Sequence, residues 1–231
     1  MSVSEDAEAV LRLPLAKGLA LIFDLDGVVV DSMPLHTLAW QRYLHSLGIQ
    51  GDDVETRMHG RRNDEIVRDF LGPDVDPQVV FDHGAAKERL FREMMRDQLH
   101  RHLVPGVTQL LERACDAPVA LATNAEPANV DFVLDGANLR RCFSVVVDGT
   151  QVARAKPAPD VYLRAAEKLG VAPRNCIVFE DSPVGIDAAR AAGARIVGVL
   201  THASALDGVD FAVRDFLEPE LEPWLHAQRV I

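Results

Sequence analysis

The sequence predicts an α/β protein: a doubly wound parallel sheet with a small all-helical domain inserted after the first strand. Three observations carry this. Short apolar runs recur along the chain, helical patterns lie between most of them, and one long interval after the first run holds helical patterns alone. The runs are Leu19–Phe23, Val119–Ala122, Phe143–Val147, Cys176–Phe179 and Arg195–Leu200. They are short, and most are rich in Val, Ile, Leu or Phe. Parallel strands buried on both faces read this way.

Between the runs, Val107, Leu110, Leu111 and Ala114 share one helical face. Val161, Ala165 and Leu169 share another, with Pro157 and Pro159 near its start, where a missing N–H costs little. Ala188, Ala189 and Ala192 repeat the pattern and stop at Gly193. Strand and helix in alternation predict the doubly wound sheet. The interval from Pro34 to His102 breaks the rhythm. Leu35, Leu38, Ala39, Tyr43 and Leu47 mark an amphipathic helix ending at Gly48, and Glu65–Phe70 and Ala85–Leu99 read as further helices. The expected division is a core of residues 1–32 and 103–231 and a helical cap of residues 33–102, joined near Asp31–Pro34 and His102–Gly106.

The chain has 231 residues, 48% apolar and 26% charged, which excludes a disordered chain, a collagen and a coiled-coil rod. Lys and Arg number 24 and Asp and Glu 35, a formal charge of −11 that repels nucleic acid and anionic membranes. An anionic substrate therefore needs positive charge gathered locally. No apolar stretch is long enough to span a membrane. Glu5, Asp6 and Glu8 precede any apolar run, the wrong charge for a secretory signal. Cys115, Cys142 and Cys176 share no close spacing and suggest neither a disulfide framework nor a zinc site. The expectation is a reduced, cytoplasmic protein with buried thiols.

Polar residues cluster where the apolar runs end. The first run passes into Asp24-Leu25-Asp26-Gly27, and carboxylates after a buried parallel strand lie where open α/β sheets bind ligands. Two carboxylates so close repel, which a divalent cation relieves; a polar strand end with a turn reads the same way. Thr123 and Asn124 follow the second run, and the Thr hydroxyl either donates to a ligand or caps a helix. Lys156 lies in Ala155-Lys156-Pro157, where a solvated charge is the ordinary reading. Glu180 and Asp181 follow the fourth run, as metal ligands or as favourable charge at a helix start. Each alone is ambiguous. Together they place acid pair, hydroxyl, lysine and second acid pair, in that order, on one edge of one sheet.

In that conjunction, over residues 17–205, the chain resembles the haloacid dehalogenase superfamily, through FDLDGV, LATN, AKPAPD and FEDSPVG. The resemblance implies a Rossmann-like core, and the insert resembles the helical-cap class, nearest the branch of β-phosphoglucomutases and sugar-phosphate phosphatases. It implies that Asp24 attacks phosphorus and that Asp26 protonates the leaving oxygen and then activates water. It implies Mg²⁺ held by Asp24, the Asp26 carbonyl and Asp181, with Glu180 as ligand or support. Thr123 and Lys156, with backbone amides of Leu25, Asp26 and Asn124, would bind phosphoryl oxygens. Superfamily members that attack carbon or cleave phosphonates lack the second acid, so Asp26 points to oxygen esters.

His36 and Trp40 match that branch's first cap helix, four residues apart on one face. His59–Glu65 resembles its substrate-specificity loop, which makes Gly60, Arg61, Arg62 and Asn63 substrate-binding candidates, and Lys87 lies where related members place a cap lysine. The mutase loop carries Arg where this chain has Asn63, a departure that favours hydrolysis over mutation. The expected function is a Mg²⁺-dependent phosphomonoesterase of small phosphorylated metabolites, acting as a monomer. β-Phosphoglucomutase is the alternative, and a catalytically silent phosphate-binding module a remote one.

Overall fold

The structure, a computed structural model, describes residues 12–231 apart from Pro14, Asp52, His59, Gly60 and Cys115. Six strands form one parallel sheet: β1 (Ala20–Phe23), β2 (Val119–Ala122), β3 (Val145–Val147), β4 (Cys176–Glu180), β5 (Arg195–Val199) and β6 (Phe211–Val213). Their spatial order is β3-β2-β1-β4-β5-β6. The winding reverses between β1 and β4, which is where such sheets open a crevice. Phe23 is in register with both Leu121 and Phe179, so the carboxyl ends of β1, β2 and β4 lie level.

After β1 come α1 (Met33–Ser46), α2 (Val54–Met58), α3 (Asn63–Leu71) and α4 (Pro77–Met95), all before the return of the chain to the sheet. The others are α5 (Val107–Arg113), α6 (Pro127–Gly136), α7 (Asp160–Leu169), α8 (Pro183–Ala192) and α9 (Leu221–Ala227). Because side chains alternate along a strand, the sheet feeds two cores. Leu21, Phe23, Leu121 and Phe179 face one, with Leu111 of α5, Val133 of α6 and Leu221 of α9. Ala20, Ile22, Ala120 and Val178 face the other, where Ala165 of α7 and Ala188 of α8 let the helices approach closely. Helices α1–α4 bury a cluster of their own, with Trp40, Leu44, Val54, Ile66, Val67 and Val80. Leu35, Ala39, Phe91 and Met95 join it to the first core.

The two connections between these parts run side by side. Asp31 N donates to His102 O at 2.7 Å and Val104 N to Val29 O at 3.1 Å. Each segment satisfies backbone groups of the other, as buried chain must. No helix among the described residues is long and apolar enough to cross a membrane.

Several sequence expectations need correction. Leu38 and Leu47 are exposed, and the inward face of α1 is Leu35, His36, Ala39, Trp40 and Leu44. At about 100° per residue, Leu38 lies roughly opposite the His36–Trp40 seam. α4 starts at Pro77 rather than Ala85, capped by the Asp76 carboxylate accepting from Gln78 N, and ends at Met95 rather than Leu99. Residues Leu99–Arg101 form a separate 3-10 turn. Strand β3 is shorter than the run predicted, Val145–Val147. Sequence patterning also missed α2, α6, α9 and β6. α2 and β6 are too short to show a period, whereas Val130, Val133 and Leu134 gave α6 a readable helical spacing.

The Phe179 ring is fully buried, stacks on Phe23 at 4.4 Å and meets Phe216 at 5.5 Å. Phe179→Ala should cost about 3–5 kcal/mol, the usual range for emptying an aromatic site. Urea unfolding checks this; an unchanged midpoint would show that the stack contributes nothing to the core.

Candidate active site

A cavity of about 540 Å³ lies between the carboxyl edge of the sheet and helices α1, α3 and α4. From the sheet side Asp24, Asp26, Thr123, Asn124, Lys156 and Asp181 line it; from the helical side His36, Arg61, Arg62, Asn63 and Lys87 do. Leu25 is fully buried in the first core and does not line the cavity, and Gly60 lies outside the described residues.

Glu180 ends β4 with no exposed surface, and donors surround it. Its Oε1 accepts from Lys156 Nζ at 2.6 Å and from the Tyr162 hydroxyl at 2.5 Å. Its Oε2 accepts from Asp181 N at 3.0 Å, Ser182 N at 3.2 Å and Ser182 Oγ at 3.0 Å. A buried carboxylate is tolerable only with such company. A Cβ at Gly185 would stand 1.8 Å from Glu180 Oε1, so the glycine in FEDSPVG makes room for this carboxylate. Lys156 is thereby held 2.8 Å from Asp24 Oδ1, an ion pair not aligned as a hydrogen bond. The Asn124 side-chain oxygen accepts from Lys156 N at 3.2 Å and fixes the lysine's loop.

Asp24 follows β1, its backbone N–H bound to Phe179 O at 3.1 Å. Burial, with Glu180 and Asp26 nearby, outweighs Lys156 and lifts its carboxyl to about 7. Asp181 is raised well above the usual range by burial, then by Glu180 and Asp24. Its carboxylate sits where a Cβ on Gly27 would intrude to 1.9 Å, and Gly27 has φ +76°, so two constraints require glycine in FDLDGV. Thr123 is buried, and its Oγ1 accepts from Ala125 N at 3.1 Å, which leaves the O–H proton to donate. It does not cap α6, whose N-cap is Glu126.

Asp26 lives differently. Burial pushes its carboxyl up, but His36 and Ser32 outweigh burial and hold it below the usual range. Ser32 Oγ donates to its Oδ1 at 2.5 Å and His36 Nε2 lies 3.7 Å away. Lys87 Nζ is 2.8 Å from His36 Nδ1. An ammonium only donates, so Lys87 is the donor wherever the two groups share a hydrogen bond. Lys87 also donates to Glu88 Oε1 at 2.7 Å.

Arg61 donates to Asp69 Oδ2 at 3.0 Å and to Glu65 O at 3.2 Å, so the guanidinium is tied along the helix that follows it, α3. Arg62 Nε lies 3.7 Å from Asp64 at an exposed position. Asn63 Nδ2 points inward, to Glu88 Oε1 at 2.6 Å.

Asp24, Glu180 and Asp181 each offer a carboxylate oxygen within 4.8 Å of the others. The donors are hard oxygens, suited to Mg²⁺. Both oxygens of Glu180 already accept protein hydrogen bonds, whereas Asp24 Oδ1 has no aligned one. The cluster fits a divalent cation held chiefly by Asp24 and Asp181, with Glu180 orienting the loop beneath.

Sequence reasoning missed Ser32, Glu88, Asn129 and Tyr162. Tyr162 carried a faint signal, beside Val161 on the buried face of α7. Tyr162→Phe removes one donor from Glu180 in a dry site and should destabilise the protein by about 1–3 kcal/mol. Thermal and urea unfolding test this; unchanged stability would mean the remaining donors suffice.

The family model for haloacid dehalogenase-like hydrolases matches residues 19–193. The fructose-1-phosphate phosphatase YqaB of Escherichia coli is 35% identical over 185 residues, covering 78% of this chain and 95% of that protein. A β-phosphoglucomutase of Bacillus subtilis is 29% identical over 219 residues, covering 88% and 92%. Among solved structures, a CbbY variant from Rhodobacter sphaeroides in complex with xylulose-(1,5)bisphosphate superposes with TM-score 0.74 at 28% identity, covering 86% and 95%. With the motifs at the level strand ends and the family match over most of its length, the chain belongs to the haloacid dehalogenase-like hydrolases.

Proposed function

We propose that this protein is a Mg²⁺-dependent phosphomonoesterase of small phosphorylated metabolites, sugar phosphates above all, working through an aspartyl phosphate on Asp24. The observation that carries it is the pair Asp24 and Asp26: one beside a lysine and a candidate cation site, the other beside a serine and a histidine, both on one cavity. Two carboxylates in contrasting environments are what nucleophile and acid–base roles require.

When bound, Mg²⁺ would offset the negative charge on the transferring group. The Asp24 carboxylate attacks phosphorus, and the bond from phosphorus to the ester oxygen breaks. Asp26, held ionised in the free protein, takes up a proton as the phosphoryl charge arrives and raises its affinity for one, and then passes that proton to the ester oxygen. Asp26 then takes a proton from water, the hydroxide attacks phosphorus, and phosphate leaves Asp24. Lys156 and the Thr123 hydroxyl bind the phosphoryl oxygens, with the backbone amides of Leu25, Asp26 and Asn124.

We read helices α1–α4, within residues 33–102, as a cap over a core of residues 1–32 and 103–231, with His36, Lys87, Arg61, Arg62 and Asn63 on its substrate side. The separate apolar cluster of these helices and their paired connections support this. We read a reduced, cytoplasmic monomer; the burial of the Cys142 and Cys176 thiols is in keeping with a reducing compartment. The mutase reading draws on the Bacillus subtilis relative. Against it, Asn63 occupies the position of the mutase-loop arginine and is bound to Glu88.

Asp24→Asn should abolish turnover of both p-nitrophenyl phosphate and fructose 1-phosphate, with the fold retained by circular dichroism. Turnover near wild type would remove Asp24 from its role. Chelation of divalent metal should abolish phosphate release and added Mg²⁺ restore it; release that survives chelation would overturn the metal assignment. Asp26→Asn should slow the first step on fructose 1-phosphate by about 10²–10⁴-fold, the usual scale of acid catalysis, and on p-nitrophenyl phosphate by less, because its leaving group needs little protonation. Equal losses in single-turnover measurements would exclude the acid role.

A further inference from the structure

The helical wall of the cavity holds a buried carboxylate that the proposed chemistry does not use. Glu88 of α4 is 3% exposed. Its Oε1 accepts from Lys87 Nζ at 2.7 Å and from Asn63 Nδ2 at 2.6 Å, and its Oε2 from Asn129 Nδ2 at 2.7 Å. Asn129 belongs to α6, on the sheet side, and its Oδ1 accepts from Arg92 of α4 at 2.6 Å. The same guanidinium donates to Glu126 at 2.6 Å. Glu88 is thus buried in the wall facing the catalytic edge, and lines the cavity itself.

Its effect is on charge. Lys87 is the one fully buried cation of this wall among the described residues, and Glu88 neutralises it at contact distance. The inward-pointing side chain of the loop, Asn63, spends an amide hydrogen on Glu88. The remaining cations of the wall are engaged nearer solvent: Arg61 with Asp69, Arg62 near Asp64, and Arg68 with the carbonyls of Pro73 and Val75. Exposed pairs of this kind are hydrated and screened. Lys87, His36 and Asn129 hold the Glu88 carboxyl down near 2, so it stays an anion through the physiological range.

We propose that Glu88 sets the charge selectivity of the cavity, making the helical wall favour substrates with one phosphoryl group and an uncharged, hydroxylated remainder over substrates with a second anionic group. This rests on the phosphomonoesterase reading, and narrows it. Fructose 1-phosphate fits such a wall; fructose 1,6-bisphosphate would set its second phosphate against a fixed carboxylate. Like charges brought together out of water are penalised heavily.

Binding, rather than turnover, tests this directly. Asp24→Asn protein with Mg²⁺ is titrated calorimetrically with fructose 1-phosphate and with fructose 1,6-bisphosphate. The monophosphate should bind at least about tenfold more tightly, since one unfavourable charge contact readily exceeds 1.4 kcal/mol. Adding Glu88→Gln keeps the side chain's shape and frees Lys87, and should shrink that ratio about tenfold by strengthening bisphosphate binding. Adding Lys87→Gln instead leaves Glu88 uncompensated and should widen it, so the two variants move the ratio in opposite directions. A purely structural role would weaken both ligands together and leave the ratio fixed. A ratio unmoved by either substitution, or tighter binding of the bisphosphate by the unmodified wall, overturns the proposal. Phosphate release by the wild-type enzyme is measured alongside. Its absence with the binding preference intact would defeat the phosphatase reading and leave the selectivity standing; its presence with no preference would do the reverse.

Discussion

The mutual repulsion of Asp24, Glu180 and Asp181 is the constraint around which this structure is built. Parallel strands β1 and β4 end level, so their following residues meet, and here those residues are acids. The fold contains the repulsion unevenly. Glu180 is saturated with donors from Lys156, Tyr162, Asp181 and Ser182, and takes no further part. Asp24 and Asp181 are left with too little positive charge, and both hold protons more tightly than free carboxylates do. Gly27 and Gly185 follow from the same crowding, since a methyl group at either would collide with an acid. Motif residues that look independent along the chain are consequences of one electrostatic problem.

Across the cavity the helices solve the opposite problem. Lys87 is buried, and a buried ammonium without a partner costs more than the fold can bear. Glu88 and His36 supply partners, and Asn63 and Asn129 satisfy the oxygens that remain. The stacking of His36 on Phe91 at 3.7 Å holds the imidazole in place between the two networks. Because Asn129 is on α6 and Glu88 on α4, the hydrogen bond between them also sets how closely helices α1–α4 approach the sheet edge.

Legibility from sequence followed the physics of each region. The central strands were readable because both faces are covered, which forces continuous apolar runs such as Leu19–Phe23. Much of the polar sheet edge was readable because Asp24, Thr123, Glu180 and Asp181 follow those runs directly. Edge strand β6 was not: with one neighbour it needs only three residues, one of them exposed. Glu88 was invisible for another reason. Lys-Glu in a helix ordinarily means a solvated surface pair, and only the packing of α3, α4 and α6 turns it inward. Arg61 shows the converse, a charge conspicuous in sequence that the fold commits to Asp69.

The segment from Asp26 to Ser32 connects the two networks. It turns tightly, with Gly27 N bound to Val30 O at 2.8 Å and Thr201 Oγ1 closing on Gly27 O at 2.6 Å from beyond β5. At its far end Ser32 stands at the N-cap of α1, where a hydroxyl normally accepts from the helix's first amides, worth about 1 kcal/mol. Here it makes no such bond and donates to Asp26 instead. Pro34 in the first turn lessens the loss, because it brings no N–H to be capped. The start of the first inserted helix therefore depends on the Asp26 carboxylate, and the carboxylate's setting on that helix. The position of α1, with His36 one turn further on, and the environment of the proposed acid are two readings of one local geometry.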